Sequence, residues 1–156
     1  MLDPLTFLKA DASLLMCSWF PESEGWLASP LGLDLPAPGL LEGQNKLIYK
    51  TNEGYCIKYD ILGLIFWILT RTEEIPHNGV DYHDRISAYS SHAFKNGYLE
   101  RPIVDEWLII LGQVINRLWP SHDLVENEFK IKLSHDVDIV SRYRFATPYD
   151  IIQRVM

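Results

Sequence analysis

The sequence predicts an α+β fold in which a small sheet is packed against helices. Two short β-rich runs, 46–50 and 55–59, flank a turn at 51–54 that contains Asn and Gly, which predicts a β-hairpin. An apolar run at 61–69 and apolar residues at helical spacing over 102–119 predict two helices. The chain has 156 residues, of which 47% are hydrophobic and 22% charged, so it is long enough for one domain with its own core.

The N-terminal stretch is predicted to be helical. Asp3 can cap a helix whose first turn begins at Pro4, and apolar residues follow at helix-like spacing up to Trp19. From Pro21 to Gly43 the chain is rich in proline and glycine, which predicts an irregular connection. Several apolar side chains predict that this connection is partly packed: Trp26, Leu27, Leu31, Leu33 and Leu35.

Both central helices carry recognisable ends. Asp60 stands where an N-cap belongs, and the run that follows is apolar nearly all round, which predicts a buried helix over about 60–70. Pro102 begins an amphipathic helix that extends to about Leu118. Acidic residues in its first turn and Arg117 in its last turn complement the helix dipole.

Charge and composition exclude several classes of partner. A formal net charge of −7 argues against nucleic acid and against an anionic membrane surface, because both require a concentrated positive surface. The apolar run at 61–69 is shorter than the roughly 20 residues that a membrane span needs, so no membrane span is predicted. The N-terminus lacks the basic region and cleavage site of a secretory signal. Cys17 and Cys56 are far apart in sequence, and we expect two ordinary half-buried thiols.

The segment that points most directly to chemistry lies near the C-terminus. Phe129–Leu133 alternates apolar and polar residues, which predicts a strand, and it leads directly into Ser134-His135-Asp136-Val137-Asp138. Carboxylates at the carboxyl end of a strand lie where active sites of sheets and barrels are built. Asp136 and Asp138 would repel each other unless a cation or a shared proton lies between them. Two readings stay open, a metal-assisted hydrolytic site and an idle, solvated acidic turn.

The strand with its His-Asp-Val-Asp motif resembles the first motif of the polysaccharide deacetylases of carbohydrate esterase family four. In that family the first Asp is the catalytic base and the second is a metal ligand. The resemblance therefore implies that Asp136 is the base and that Asp138 binds a divalent metal, assigned as zinc. His135 receives no role from the resemblance, and a packed histidine is expected there. The substrate implied is an acetylated polysaccharide or oligosaccharide.

The upstream sequence resembles an uncharacterised domain that precedes such deacetylase domains in bacteria. The resemblance is carried by Phe66–Glu74, Asp81–Arg85, Pro102 and Trp107. It implies an N-terminal α+β domain over 1–126, followed at 127–156 by the first strand of a truncated (β/α) deacetylase barrel.

The sequence departs from the deacetylase pattern in one respect. The family's remaining metal ligands are a His-x-x-x-His pair, and no two histidines of this chain are four residues apart: His77, His83, His92, His122 and His135. About eighteen residues follow Asp138, which is too few for a barrel. We therefore expect the chain to be inactive on its own and to depend on a C-terminal catalytic domain.

Two other functions stay open from the residues. Residues 136–140 also fit the Asp-x-Asp-x-Thr/Val pattern of haloacid-dehalogenase-like phosphatases, in which the first Asp is a nucleophile and magnesium is the cofactor. That motif usually opens its domain, whereas here more than a hundred residues precede it. The other alternative is a non-catalytic binding or scaffold module.

Two further groups of residues are predicted to be structural. The charged residues Arg71, Glu73, Glu74, Asp84 and Arg85 are expected to form an interlocked set of ion pairs between a helix and a loop. The five tryptophans lie in separate predicted elements, so most are expected to pack in the core and not to form a sugar-binding platform.

Overall fold

The computed structural model describes residue 7 and residues 10–27, 34–41, 43, 46–76, 79–125, 128–136 and 147–155. The chain divides into two compact units, Met1–Leu124 and Val125–Met156. The first unit mixes helices with two small antiparallel sheets, so the predicted α+β class is confirmed. In the part of the chain described, no helix is both long enough and apolar enough to cross a membrane.

The first sheet pairs β1 (Met16–Trp19) with β2 (Leu35–Pro38), in a register that places Cys17 opposite Ala37. Two of the four residues of β2 are prolines, which lack the N–H group that a ladder uses. The Gly39 amide donates to the Leu15 carbonyl, so Gly39 points its backbone polar groups toward β1. Because these groups alternate in direction along a strand, those of Pro36 and Pro38 point away from β1. The ladder therefore loses no hydrogen bond to the prolines.

The second sheet is the predicted hairpin, formed by β3 (Ile48–Lys50) and β4 (Tyr55–Ile57). Its anchor is the carboxylate of Glu24, in a 3-10 turn over Pro21–Glu24. This carboxylate accepts hydrogen bonds from the amides of Leu47 at 2.7 Å and Ile48 at 3.0 Å, and from the indole of Trp19 at 2.8 Å. One side chain thus ties the hairpin to β1.

The two predicted helices are present as α1 (Ile61–Leu69) and α3 (Ile103–Leu118), and a short α2 (His92–Lys95) lies between them. The Asp60 side chain caps α1 by accepting a hydrogen bond from the Gly63 amide at 2.9 Å. α1 packs against α3. The prediction that α1 is buried all round is wrong, because only one face meets the core. Its other face is exposed: Leu62, Phe66 and Leu69.

Aromatic side chains dominate the core. Trp107 stacks on Trp19 with ring centroids 5.4 Å apart and lies 4.5 Å from Tyr59. The Trp107 indole donates a hydrogen bond to the Pro36 carbonyl at 2.8 Å, and the Tyr59 hydroxyl donates to the Pro38 carbonyl at 2.7 Å. The carbonyls of β2 that face away from β1 therefore satisfy the polar atoms of the buried rings.

The N-terminal prediction is wrong where the structure describes it. Met16–Trp19 is a strand and not the end of a helix, and the connection over 21–43 contains both a 3-10 turn and β2. Residues 16–19 form a strand and not a helix because β2 supplies hydrogen-bond partners from a distant part of the sequence. Local spacing of apolar residues cannot reveal such partners. The predicted helix start at Asp3 and Pro4 lies outside the described residues.

In the second unit, residues 128–136 carry no regular secondary structure, so the strand predicted at Phe129–Leu133 is not formed. A strand exists only where a second strand pairs with its backbone, and in the described part of this unit no strand is present. The one helix there is α4 (Pro148–Val155). The proposed boundary between an N-terminal domain and the start of a catalytic domain, at 126/127, stays a prediction.

Candidate functional site

The acidic motif is only partly within the described residues. Asp136 and the neighbouring His135 are exposed. Asp138, the predicted metal ligand, lies outside the described residues, so the predicted pairing of the two carboxylates is not tested. The packed position expected for His135 is wrong, because its side chain faces solvent.

The residues before the motif divide into two sets. The apolar side chains are strongly exposed, with 90% of Phe129, 72% of Ile131 and 84% of Leu133 accessible. The polar set includes Glu128 and Lys130, whose charged groups meet at 3.1 Å, as side chains two residues apart do on an extended backbone. The segment thus has the side-chain pattern of a strand without a strand's partners.

The described residues do not by themselves form a metal site. A structural or catalytic zinc needs at least three protein ligands. Within the described ranges, no three His, Cys, Asp or Glu side chains come close enough together to hold an ion. Asp136 would therefore need ligands from residues outside this set.

The predicted interlocked ion pairs are wrong in their arrangement. Arg71 pairs with Glu74 within one turn, and Arg85 pairs with Asp81 at 2.9 Å within its own loop. The Asp81 carboxylate also accepts hydrogen bonds from the amides of Arg85 and His83 in the same turn, which hold it next to the Arg85 side chain. These hydrogen bonds lower the pKa of the Asp81 carboxyl group. The helix and the loop are joined by Glu73 instead, whose carboxylate accepts a hydrogen bond from the His92 amide at 2.8 Å.

His92 is a buried titratable group that the sequence did not reveal. Its side chain has 0% exposure and its ring contacts the edge of Trp67. Nε2 lies 2.8 Å from the Leu14 carbonyl, and Nδ1 lies 2.5 Å from the Tyr98 hydroxyl. Because a carbonyl only accepts, Nε2 carries the hydrogen and Nδ1 accepts from Tyr98.

The surroundings of His92 favour its neutral form. Burial lowers the pKa of the imidazole below its ordinary value of 6.5, and the nearby Lys95 lowers it further. The Leu14 carbonyl and the Glu73 carboxylate act in the opposite direction but do not cancel the effect of burial. Burial also raises the pKa of Tyr98, so its hydroxyl stays protonated and able to donate.

The tryptophans behave as predicted. Four of them are buried: Trp19, Trp26, Trp67 and Trp107. Trp119 is exposed. The described tryptophans therefore form no flat surface on which a sugar ring could stack. Cys17 and Cys56 are both half-buried and form no disulfide bond, as expected.

A cavity of about 390 Å³ opens beside β1 and is lined by Met16–Trp19, Leu40, Leu41, Gly43 and Leu47. The Ser18 hydroxyl at this wall donates to the Asp34 carboxylate at 3.0 Å, so its hydrogen is already engaged. The lining lacks the convergent charged groups that a hydrolytic site requires.

Comparison with known proteins gives one match. A family model described as "Family of unknown function (DUF7033)" matches residues 16–120, which lie within the first unit and end before the acidic motif. No curated protein and no solved structure matches the chain. The matched region spans more than half of the sequence, and the chain therefore belongs to DUF7033, a family of unknown function.

Proposed function

We propose that this chain is the front part of a metal-dependent, polysaccharide-deacetylase-like hydrolase that removes acetyl groups from a glycan. The observation that carries the proposal is the segment before the acidic motif. Phe129, Ile131 and Leu133 alternate with polar residues and are exposed, and the exposed residues His135 and Asp136 follow them in the chain. Such a segment is suited to become the first strand of a (β/α) barrel once neighbouring strands pair with it.

The separation of the chain into two units supports the same proposal. The family match ends at residue 120, and the first unit ends at Leu124. The acidic motif therefore lies outside the family domain, as a catalytic motif of a following domain would. In this proposal the family domain is an N-terminal accessory module, and it carries no catalytic group itself.

The two carboxylates have different roles in this proposal. Asp136 accepts the proton of the attacking water, and a base held near such a water contributes roughly 100-fold or more to the rate. Asp138 is one ligand of a divalent metal, zinc in our assignment, whose other ligands come from residues beyond the described set. The metal would supply Lewis-acid assistance to the acetyl carbonyl. In this proposal, activity requires those other ligands as well as Asp136 and Asp138.

The test uses a protein in which this chain is followed by the deacetylase-like domain that the proposal requires. Acetate release from an acetylated oligosaccharide and bound zinc per protein are both measured. We expect Asp136→Asn to lose activity by at least about 100-fold and to retain the metal, since it removes a base and no ligand. We expect Asp138→Asn to lose most of the metal, because a neutral amide oxygen is a poorer donor to a divalent cation. Asp123→Asn, upstream of the motif, is the control and should change neither.

Three outcomes would contradict parts of the proposal. Metal loss in Asp136→Asn with retention in Asp138→Asn would reverse the two roles. Full activity and full metal content in both variants would make the motif an idle acidic turn. Phosphate release from a phosphate monoester, with no acetate release, would favour the haloacid-dehalogenase-like alternative.

A further inference from the structure

The stretch between α1 and α3 has an unusual burial pattern. Over residues 79–100, which include α2, only His92 and Tyr98 are buried. All other side chains of this stretch are exposed or half-buried, including Tyr82 and Tyr89. A stretch of this length with so few buried contacts has little of its own to hold it against the core.

The two buried residues form one joint. Tyr98 donates its hydroxyl hydrogen to His92, and the His92 ring donates to the Leu14 carbonyl. The His92 amide donates to Glu73, and the ring edge meets Trp67 of α1. His92 therefore links the stretch to the segment before β1, to the turn after α1 and to α1 itself.

The C-terminal end of the stretch is fixed separately. The Arg101 guanidinium donates to the buried Glu106 carboxylate at 2.7 Å and to the Asp34 carbonyl at 2.8 Å. This pair holds the start of α3 and does not depend on His92. Loss of the His92 joint would therefore free residues 79–100 while leaving α3 in place.

The burial of the joint favours the neutral state of the histidine. In that state Nδ1 accepts from Tyr98, whereas a proton added to Nδ1 makes it a donor and leaves the Tyr98 hydroxyl hydrogen without this acceptor. The charged ring would then lie in a fully buried site, next to Trp67 and the Tyr98 hydroxyl, with Lys95 nearby. Among the described residues, the Glu73 carboxylate is the charged group near the ring that would favour the imidazolium.

We propose that His92 is an acid-sensitive pin: when the pH falls, protonation of its buried ring releases residues 79–100 from the core of the first unit. The released form exposes His92 to water, where the imidazolium is well solvated. The pinned form excludes water and holds the neutral ring. Acid therefore shifts the equilibrium toward the released form, and neutral pH restores the pin.

The direction follows from the proton balance. In the pinned state the pKa of His92 lies below 6.5, so the released state binds the proton more tightly. The stabilisation of the pinned form by His92 is complete above about pH 6.5 and falls as the pH drops toward the lowered pKa. Within that window the opening equilibrium shifts by about tenfold for each pH unit. Below the lowered pKa it becomes constant.

Amide hydrogen exchange by NMR on the 156-residue chain tests the pin, with intrinsic exchange rates removed at each pH. The reporters are the amides of Asn96 and Tyr98, which donate to the His92 and Ala93 carbonyls. We expect their protection to fall by up to about tenfold per pH unit below pH 6.5. Amides in the middle of α3 should keep their protection over the same range. An equal loss in α3 would mean global unfolding and would overturn the proposal.

Two matched variants separate the pin from general acid effects. His92→Gln is uncharged at every pH, so protection at Asn96 and Tyr98 should become independent of pH. His83→Gln removes an exposed histidine of the same stretch and should leave the pH response of the unsubstituted protein unchanged. A lost response in His83→Gln, or a retained one in His92→Gln, contradicts the proposal.

A direct titration of the ring keeps the proposal testable if His92→Gln fails to fold. Nitrogen-15 NMR of the unsubstituted protein should show His92 as the Nε2–H tautomer at neutral pH. Its protonation should occur below the ordinary imidazole pKa of 6.5. Protonation of His92 at or above about pH 6.5, with Asn96 and Tyr98 still protected, would show that the charged ring is tolerated in place.

Discussion

The β3–β4 hairpin and the segment at 128–133 are both predicted from the sequence to be β-structure, but they differ in the structure. The hairpin runs 46–50 and 55–59 are short and β-rich, and residues 129–133 alternate apolar and polar side chains. In the hairpin, Ile48 is buried and its amide is held by Glu24. In the second segment, Ile131 is exposed and the backbone forms no strand.

The structural difference follows the availability of hydrogen-bond partners for the two backbones. The hairpin has its second strand only a turn away, and a carboxylate from another element completes its hydrogen bonding. The segment at 128–133 has neither within the described part of its unit. Alternation therefore specifies which side chains face a core, and the core itself must come from elsewhere.

The largest expected effect on stability is the loss of a buried isoleucine from the hairpin, compared with the same substitution in the second segment. Ile48→Ala should lower the free energy of unfolding by about 3 kcal/mol, because it empties space in a packed core. Ile131→Ala should change it by less than about 0.5 kcal/mol, because the side chain already faces water. Urea unfolding followed by tryptophan fluorescence measures both. A cost at Ile131 that matches the cost at Ile48 would show that 128–133 is packed after all.

A smaller effect is expected from the anchor of the hairpin. Glu24→Ala leaves the amides of Leu47 and Ile48 and the Trp19 indole without their acceptor, which should cost about 2 kcal/mol. Glu22→Ala, on the exposed side of the same 3-10 turn, is the control and should cost less than about 0.5 kcal/mol. Chemical denaturation of both variants decides the point. If Glu24→Ala is as mild as the control, the turn and not the anchor holds the hairpin.

The smallest effects are expected at two helical glycines, and they have opposite signs. A methyl group at Gly63 would overlap the Asp60 carboxylate that caps α1 and would meet Phe7 at 3.0 Å. Gly63→Ala should therefore lose about 1 kcal/mol despite its better helix propensity. Gly112→Ala meets only Leu124 at 3.4 Å and should gain up to about 1 kcal/mol. Thermal unfolding should move the two melting temperatures in opposite directions, and equal shifts would contradict this account of the α1 cap.

Turn and capping residues close in sequence were enough to predict the hairpin and the starts of α1 and α3. The turn at 51–54 located the hairpin, Asp60 marked the start of α1, and Pro102 marked the start of α3. The β1–β2 sheet was missed because its strands are distant in sequence and because Pro36 and Pro38 argue against a strand. They are tolerated only because their positions need no N–H group, which no local rule reveals.

The candidate site was less predictable than the fold. The resemblance of residues 134–138 to a catalytic motif rests on their identity alone, and because Asp138 lies outside the described residues the paired geometry stays a prediction. His92 was missed for a different reason. A single histidine in a polar stretch gives no sign of burial, and its burial depends on the Leu14 carbonyl and Tyr98, which approach it only in the folded unit.

The prolines of β2 also affect how this protein meets its own copies. An exposed strand edge attracts another strand because it presents unpaired N–H and C=O groups. All four residues of β2 are buried, so the edge of β2 that faces away from β1 is covered by the core. This edge presents no N–H group at Pro36 or Pro38, and the carbonyls of both residues are engaged by Trp107 and Tyr59. Intermolecular strand addition is therefore blocked at this edge by burial and by the prolines, and not by charge. This protection against aggregation should hold at any pH and salt concentration at which the unit stays folded.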